Sequence, residues 1–443
     1  MKKGIILLLS VLMIMFVFVG CGDTDDAVPD DNGEAPEEIR IALLNSLTGG
    51  FAPAGALAGH RGNLIAIDMV NEKGGVLGQY PVVAIEVDSQ SDPDVALREA
   101  ERVIQRENVQ VIAGIFSSAI AVPVAPLSDD LETICWIHIA ISDAVVKDRH
   151  QQYVFRPQPM GSQWGASTVE FVNHNYALFG VDSPQDLRVA VLHEDGPYGT
   201  STADANLAKI EEYGMNLVFD DAYPYDVSDM TSLVIRLTEA QPDVLFHTGY
   251  YPDIVLFLRQ ARELGFKTQA ILGHGAGHAA LADVAADVGA EVVNYFFNVD
   301  PAPAQIIPPE VLDEGIAEIN AEFLRRVEEE YGIDSPTTHY TQGFAHMWML
   351  LEYVIPLAIE KYGDFSPDSI RQAALELDMP DGSTPAGYGI QFAPPEHQLS
   401  GQNLRAYPTV MQYIDGKFHI MWPEALRTET PVVPFPSDHP FGE

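Results

Sequence analysis

Seven apolar runs that do not alternate with polar residues constrain this fold most: "IRIALL", "VVAIEVD", "VQVIAGIF", "TICWIHI", "LRVAVLHE", "DVLFHTG" and "QAILGH". A strand with one face in water alternates; a run like these is buried on both faces, as in a parallel sheet covered by helices. Amphipathic stretches separate the runs. In "GNLIAIDMVNEKGG", Ile65, Ala66, Met69 and Val70 share one helical face, and in "DMTSLVIRLTEA" Met230, Leu233, Val234 and Leu237 do the same. Asp92-Pro93 supplies a helix cap followed by proline at the first helical position. The runs fall into two series, which predicts an α/β chain with two doubly wound parallel-sheet lobes. Near the end, "PTVMQYIDGKFHIMWP" places Asp415-Gly416 between two strand-like runs, a hairpin signal. Open sheets of this kind bind ligands outside the carboxyl ends of their strands. That points at the loops after Leu44, Phe116, Ile139, Glu194, Gly249 and Leu272.

The first residues read differently. Lys2 and Lys3 precede the apolar run Ile5–Val19, too short for a bilayer span of about 20 residues. The run ends in "FVGC", which resembles a bacterial lipobox; residues 1–21 are then a lipoprotein signal peptide ending at Cys21, the lipidation site. Residues 22–38, "GDTDDAVPDDNGEAPEE", are acidic and almost free of large apolar side chains, so a disordered tether is expected there. Roughly 400 residues follow, more than one hydrophobic core holds. With Cys21 lipidated, Cys135 has no disulfide partner and reads as a buried inert thiol. A formal charge of −40 speaks against nucleic acid or an anionic membrane surface as partner.

From Ile39 to about Pro434 the chain resembles the branched-chain amino-acid-binding proteins of bacterial ABC importers, the type I periplasmic binding proteins. The segments that carry the likeness, in order, are "LTGGFAPAG", "GHRGNLIAIDMVNEKGGVLG", "DSQSDPDVALREAERVI", "VIAGIFSSA", "YVFRPQP", "EDGPYGTS" and "HTGYYPDIVLFLRQARELGFKTQAILG". The resemblance implies two lobes joined by a three-crossover hinge, residues 39–158 with 298–385 forming one and 159–297 with 386–443 the other. It implies a monomer with no cofactor, no metal and no catalysis, which takes a small-molecule ligand between its lobes. The partners implied are the ABC permease and, through the lipid, a membrane on the extracytoplasmic side. Site residues carry over one at a time. Ser118 takes the place of the serine that holds a ligand carboxylate, beside backbone N–H groups at a helix start. Ala140 and Ser142 stand in the next loop, where a hydroxyl expected at position 141 is replaced by isoleucine. Tyr198 and Tyr250 are the aromatic residues of the second lobe. His274 stands where relatives place the acid that pairs with an α-ammonium group.

The histidines of "ILGHGAGHAAL" admit three readings. A metal pair at His274 and His278 needs a helix and a third ligand, and Gly275 and Gly277 speak against the helix. Catalysis lacks a nucleophile elbow, a P-loop or a complete dinucleotide fingerprint. The third reading puts His274 on the ligand cleft and His278 in a structural role at the start of the next helix. An imidazole supplies no permanent negative charge, so a carboxylate or amide ligand is expected rather than a standard amino acid. The alternatives left open are an amino acid whose ammonium is held by Asp143 or Glu194, and a sensor of the same fold. Trp164, in "GSQWG", is a further candidate for stacking on a ring or packing at the hinge.

Overall fold

The computed structural model describes residues 37–442, apart from the side chain of Ala54; the signal segment, Cys21 and residues 22–36 of the tether lie outside the described residues. The first sheet is wholly parallel: β1 (Ile39–Asn45), β2 (Val82–Asp88), β3 (Val111–Gly114), β4 (Ile134–Ile137) and β5 (Val154–Phe155), in the order β2-β1-β3-β4-β5. The second contains β6 (Arg188–Glu194), β7 (Asn216–Tyr223), β8 (Val244–Thr248), β9 (Ala270–His274) and β10 (Phe297–Asp300), which repeat that order as β7-β6-β8-β9-β10. Each sheet therefore has one topological switch point, between β1 and β3 and between β6 and β8, where connections leave for opposite faces. A small antiparallel pair, β11 (Asp378–Met379) and β12 (Ile390–Gln391), lies outside both sheets. Two antiparallel strands, β13 (Thr409–Ile414) and β14 (Lys417–Trp422), extend the second sheet past β10. Their turn is the one predicted, with Asp415 and Gly416 at φ 51° and 86°.

The strands are apolar because helices cover them on both faces. Ile41, Leu43, Val111, Ala113 and Trp136 of the first sheet share one core with Phe323, Phe344 and Leu351 from the returning helices Ile316–Tyr331 and Thr338–Met349 and the turn after them. Asp92 caps its helix as expected, accepting from the N–H groups of Asp94 and Val95.

The chain passes between the sheets three times, after β5, after β10 and between β12 and β13. Two boundaries differ from expectation. Residues 298–300 pair in the second sheet as the end of β10. Residues 386–406, expected in the second lobe, pack on the first: Tyr388, Ile390, Phe392 and Ala406 join its core, and Phe392 stacks edge-on against Trp136 and Phe155. Burial of these large rings against the first sheet delays the third crossover to just before β13.

Candidate functional site

The carboxyl ends of the two sheets face each other across a narrow, nearly closed cleft. Loops after β3 and β4 bring Phe116, Ser118, Ile139 and Ile141; loops after β6, β8 and β9 bring Tyr198, Tyr250 and Ala276; Trp164 and His339 come from the first turns of helices Gly161–His174 and Thr338–Met349. These are the ends that the sheet rule designates. The two halves touch. Tyr250 stacks on Phe51 (4.6 Å between ring centroids) and Phe116 (6.1 Å) of the first lobe and on Tyr198 (5.1 Å) of its own. Its hydroxyl lies 3.3 Å from Ser117 Oγ. Beside the cleft, the N–H of Asp143 donates to Ser201 Oγ, whose hydroxyl donates to Asp143 Oδ1. Trp164, Tyr198 and Tyr250 are only 2–5% exposed, so this is a closed arrangement.

Aromatic pairs contribute about 0.5–1.5 kcal/mol each, and Tyr250 makes two of them across the lobes. Tyr250→Ala is expected to lower the closed-to-open ratio about tenfold or more, whereas Tyr250→Phe, which keeps the ring, should lower it little. Small-angle scattering reads the difference as a larger radius of gyration for the alanine variant; equal radii for both variants would remove Tyr250 as the latch.

Of the expected site residues, Ser118, Tyr198, Tyr250 and Trp164 line the cleft. Ser117, not Ser118, caps the helix Ser118–Asp130, accepting from Ala119 N–H; Ser118 Oγ accepts from Ser142 N–H at 3.1 Å and keeps its own proton to donate. Ala140 and Ser142 do not line the cleft. Neighbouring residues of their loop serve opposite sides. Ile139 and Ile141 take the cleft side, while the carbonyls of Ala140 and Ser142 accept from Arg156 Nη1. The Ser142 hydroxyl turns away to accept from Ala144 N–H.

His274 is the main correction. Its imidazole is fully buried behind the cleft, with Nε2 3.0 Å from Thr168 Oγ1 and Nδ1 2.9 Å from Thr248 Oγ1. Burial pushes its pKa down to about 3, so the ring is neutral. Only its carbonyl is used at the cleft edge, as acceptor for the Tyr198 hydroxyl. Two partners from distant segments satisfy the ring inside the lobe, and Gly275 (φ 45°) then turns the chain so that Ala276 reaches the cleft. Gly275 cannot be replaced cheaply, because a Cβ there would meet Trp164 Cζ3 at 2.2 Å. His278 lies on the short helix Ala276–Ala279, buried edge-on against His247 at 5.3 Å. Among the described residues, no three His, Cys, Asp or Glu side chains group so as to hold a metal ion.

No charged side chain is among the described residues that line the cleft. The nearby acids stand outside that lining. Glu194 accepts from Gly196 and Gly199 N–H at 2.6 and 2.5 Å, capping the helix Pro197–Tyr213, and burial pushes its carboxyl up. Asp253 sits beneath Gly249 beside the Tyr223 hydroxyl. Asp300 accepts from Gln342 Nε2, with Oδ2 3.3 Å from where a Cβ of Gly275 would stand. Asp143 is tied to Ser162 N–H and Ser201.

Sequence reasoning missed Phe116, Ile139, Ile141, Ala276 and His339. Phe116 precedes the expected serine and was legible as the end of an apolar run; its ring meets His339 edge-on at 5.3 Å. His339 had no local signal, since it arrives from a helix more than 200 residues further on.

Comparison with known proteins agrees with this arrangement. A model of the family described as periplasmic binding protein matches residues 38–408. Leu/Ile/Val-binding protein homolog 7 of Brucella suis is 33% identical over 396 residues, 89% of this chain and 94% of the relative. Homolog 8 of Brucella abortus is 30% identical over 387 residues, 87% of this chain and 91% of the relative. Among solved structures, the leucine binding protein LivK of Thermotoga maritima matches with a TM-score of 0.70 at 22% identity, covering 86% of this chain and 97% of that one. The branched-chain amino acid transporter substrate binding protein LivJ of Streptococcus pneumoniae, in complex with isoleucine, matches at 0.70 and 16% identity, covering 87% and 100%. An R. palustris ABC transporter solute binding protein in complex with benzoate matches at 0.69 and 16%, covering 87% and 95%. Paired sheets of one topology, a cleft at their carboxyl ends and relatives along nearly the whole described length lead to one assignment: the chain belongs to the type I periplasmic binding proteins, in their Leu/Ile/Val-binding branch.

Proposed function

We propose that this protein is the extracytoplasmic solute-binding component of an ABC importer, anchored by lipid on Cys21, which closes on a small apolar carboxylate and presents it to the permease. The observation that carries the reading is the lining of the cleft: aromatic and aliphatic side chains from both lobes, the Ser118 hydroxyl, and no charged side chain among the described lining residues. Hydroxyl and main-chain donors at a helix start suit an anionic oxygen. The ammonium of an α-amino acid, by contrast, would be buried without a carboxylate beside it, which is costly. The R. palustris protein bound to benzoate shares this fold and supports a carboxylate as a ligand type that it accommodates. Two hinged lobes close on such a ligand only through the extra contacts made in the closed state. In this reading the chain performs no catalysis.

A second reading, an α-amino acid, is favoured by Asp300, whose Oδ2 lies just behind Gly275 and Trp164. There Asp300 would meet the ammonium after a shift of the indole. The LivJ complex with isoleucine supports it by analogy of fold.

Calorimetric titration of the full chain separates the two readings. Benzoate and 3-methylbutanoate are expected to bind at least about tenfold more tightly than leucine, isoleucine or valine, a difference of about 1.4 kcal/mol. Tight binding of the amino acids with both carboxylates inactive would replace the first reading by the second.

A further inference from the structure

Among the described residues, Arg156 is the one Lys or Arg side chain that is fully buried, in a chain of net charge −40. It sits at the first crossover, directly behind the loop 139–142, and among the described residues makes no ion pair within 4 Å. Every acceptor it has is neutral: Gln402 Oε1 at 2.7 Å for Nε, and the carbonyls of Ser142 at 2.6 Å and Ala140 at 3.4 Å for Nη1. Nη2 has no acceptor among the described residues. The carboxylate that bears on it is Asp143, which is already held by Ser162 N–H and Ser201. Burial pushes its pKa down to about 10, well above neutrality, so the cation persists.

A buried cation without a contacting anion is costly and calls for a use. The backbone shows one. In a trans peptide the C=O and the following N–H point in opposite directions. Arg156 draws the carbonyl of Ala140 away from the cleft, which turns the N–H of Ile141 toward the cleft that Ile141 lines. Gln158 Nε2 takes the carbonyl of Ile139 and the N–H of Ala140 donates to the Ile115 carbonyl, so the donor this loop turns to the cleft is the N–H of Ile141. Ser142, whose carbonyl Arg156 also holds, donates its own N–H to Ser118 Oγ and leaves that hydroxyl proton free to serve as a donor.

We propose that Arg156 is a positioning residue that selects the charge of the ligand: it touches no ligand atom, but aims the N–H of Ile141 at the cleft beside the Ser118 hydroxyl and places a positive charge behind them, so that a carboxylate is preferred to its neutral isostere. This rests on the cleft being the solute site. It also narrows the ligand class to one carrying net negative charge.

The test is calorimetry on the full chain with two acid–amide pairs, benzoate with benzamide and 3-methylbutanoate with 3-methylbutanamide. The unmodified protein should prefer the acid of a pair by about tenfold or more, the size of one buried charge acting over several ångströms. Arg156→Gln should abolish the preference, with amide affinity changed by less than about threefold. Arg156→Lys, which keeps the cation but not the fork, should retain the preference while weakening both members. Equal weakening of acid and amide in Arg156→Gln would make the residue merely structural and overturn the inference alone. Leucine bound with neither acid bound would overturn the ligand class and this inference together. If Arg156→Gln does not fold, the lysine variant decides, and loss of its acid preference overturns the proposal.

Discussion

Lowering the pH from 7 to 5 is expected to reduce the free energy of unfolding, each buried neutral histidine contributing up to about 1.4 kcal/mol per pH unit. Five fully buried histidines set the sign: burial holds His274, His278 and His346 down to about 3, and His138 and His247 well below 6.5. Between those values and the unfolded value of about 6.5, the unfolded chain takes up protons that the folded one refuses, so stability falls as pH falls. Three buried acids act the other way. Asp253 and Asp300 are held well above, and Glu194 above, their ordinary values by burial. They keep protons in the fold that the unfolded chain releases, which costs stability as pH rises. His60 and His439, also held down by burial, add to the histidine side, and the net effect is a loss toward acid. Above pH 7 the histidine contribution is complete and only the acids remain, so stability should decline gently on the alkaline side. Urea unfolding at pH 5, 6, 7 and 8 measures this, and a midpoint unchanged or rising from pH 7 to 5 would contradict it. His278→Leu removes a ring whose nitrogens have no hydrogen-bond partner among the described residues. It should flatten the acid slope by about 1.4 kcal/mol per pH unit.

His274 is one of those five, and it shows where sequence reading stops. The strands, the Asp415-Gly416 turn and the strand ends that carry the site were legible, because each depends on a pattern within about ten residues. Ser118, Tyr198 and Tyr250 were legible through the family resemblance, and each stands in a loop that follows a strand at a switch point. What decides the direction of His274 is different. Thr168 and Thr248, far from it in sequence, offer both ring nitrogens a partner inside the lobe. The loop Ile139–Ser142 fails in a simpler way. Its small and polar residues drew attention, yet Ile139 and Ile141 take the cleft side, and Arg156 on the inner side claims the carbonyls of Ala140 and Ser142. The same long-range contacts moved the third crossover, since Tyr388 and Phe392 carry no local sign of the sheet they cover.

Gly343→Ala is expected to destabilise the protein by about 3 kcal/mol, although alanine is the better helix former by about 1 kcal/mol. The helix Thr338–Met349 crosses Leu57–Glu72 with glycines at the contact: a Cβ on Gly343 would lie 2.0 Å from the carbonyl oxygen of Gly59, and one on Gly62 would lie 2.2 Å from that of Tyr340. The atoms in the way are backbone, so no rotamer relieves the overlap and the helices must move apart by more than 1 Å to reach ordinary contact of about 3.5 Å. That separation loosens the packing of Phe344 on Phe323, rings now stacked at 4.3 Å. Clash therefore outweighs propensity. The crossing also sets the cleft: His339 stands in the first turn of one helix, and Gly59 of the other packs on Ile139, both of which line it. Any folded Gly343→Ala protein should bind the carboxylate probes more weakly as well. Gly50→Ala is the control, because a Cβ there meets nothing nearer than Tyr225 at 3.9 Å. Its unfolding free energy should stay within about 0.5 kcal/mol of the parent. Urea unfolding at pH 7 compares the three proteins, and a Gly343→Ala midpoint equal to that of Gly50→Ala would show that the two helices yield without cost.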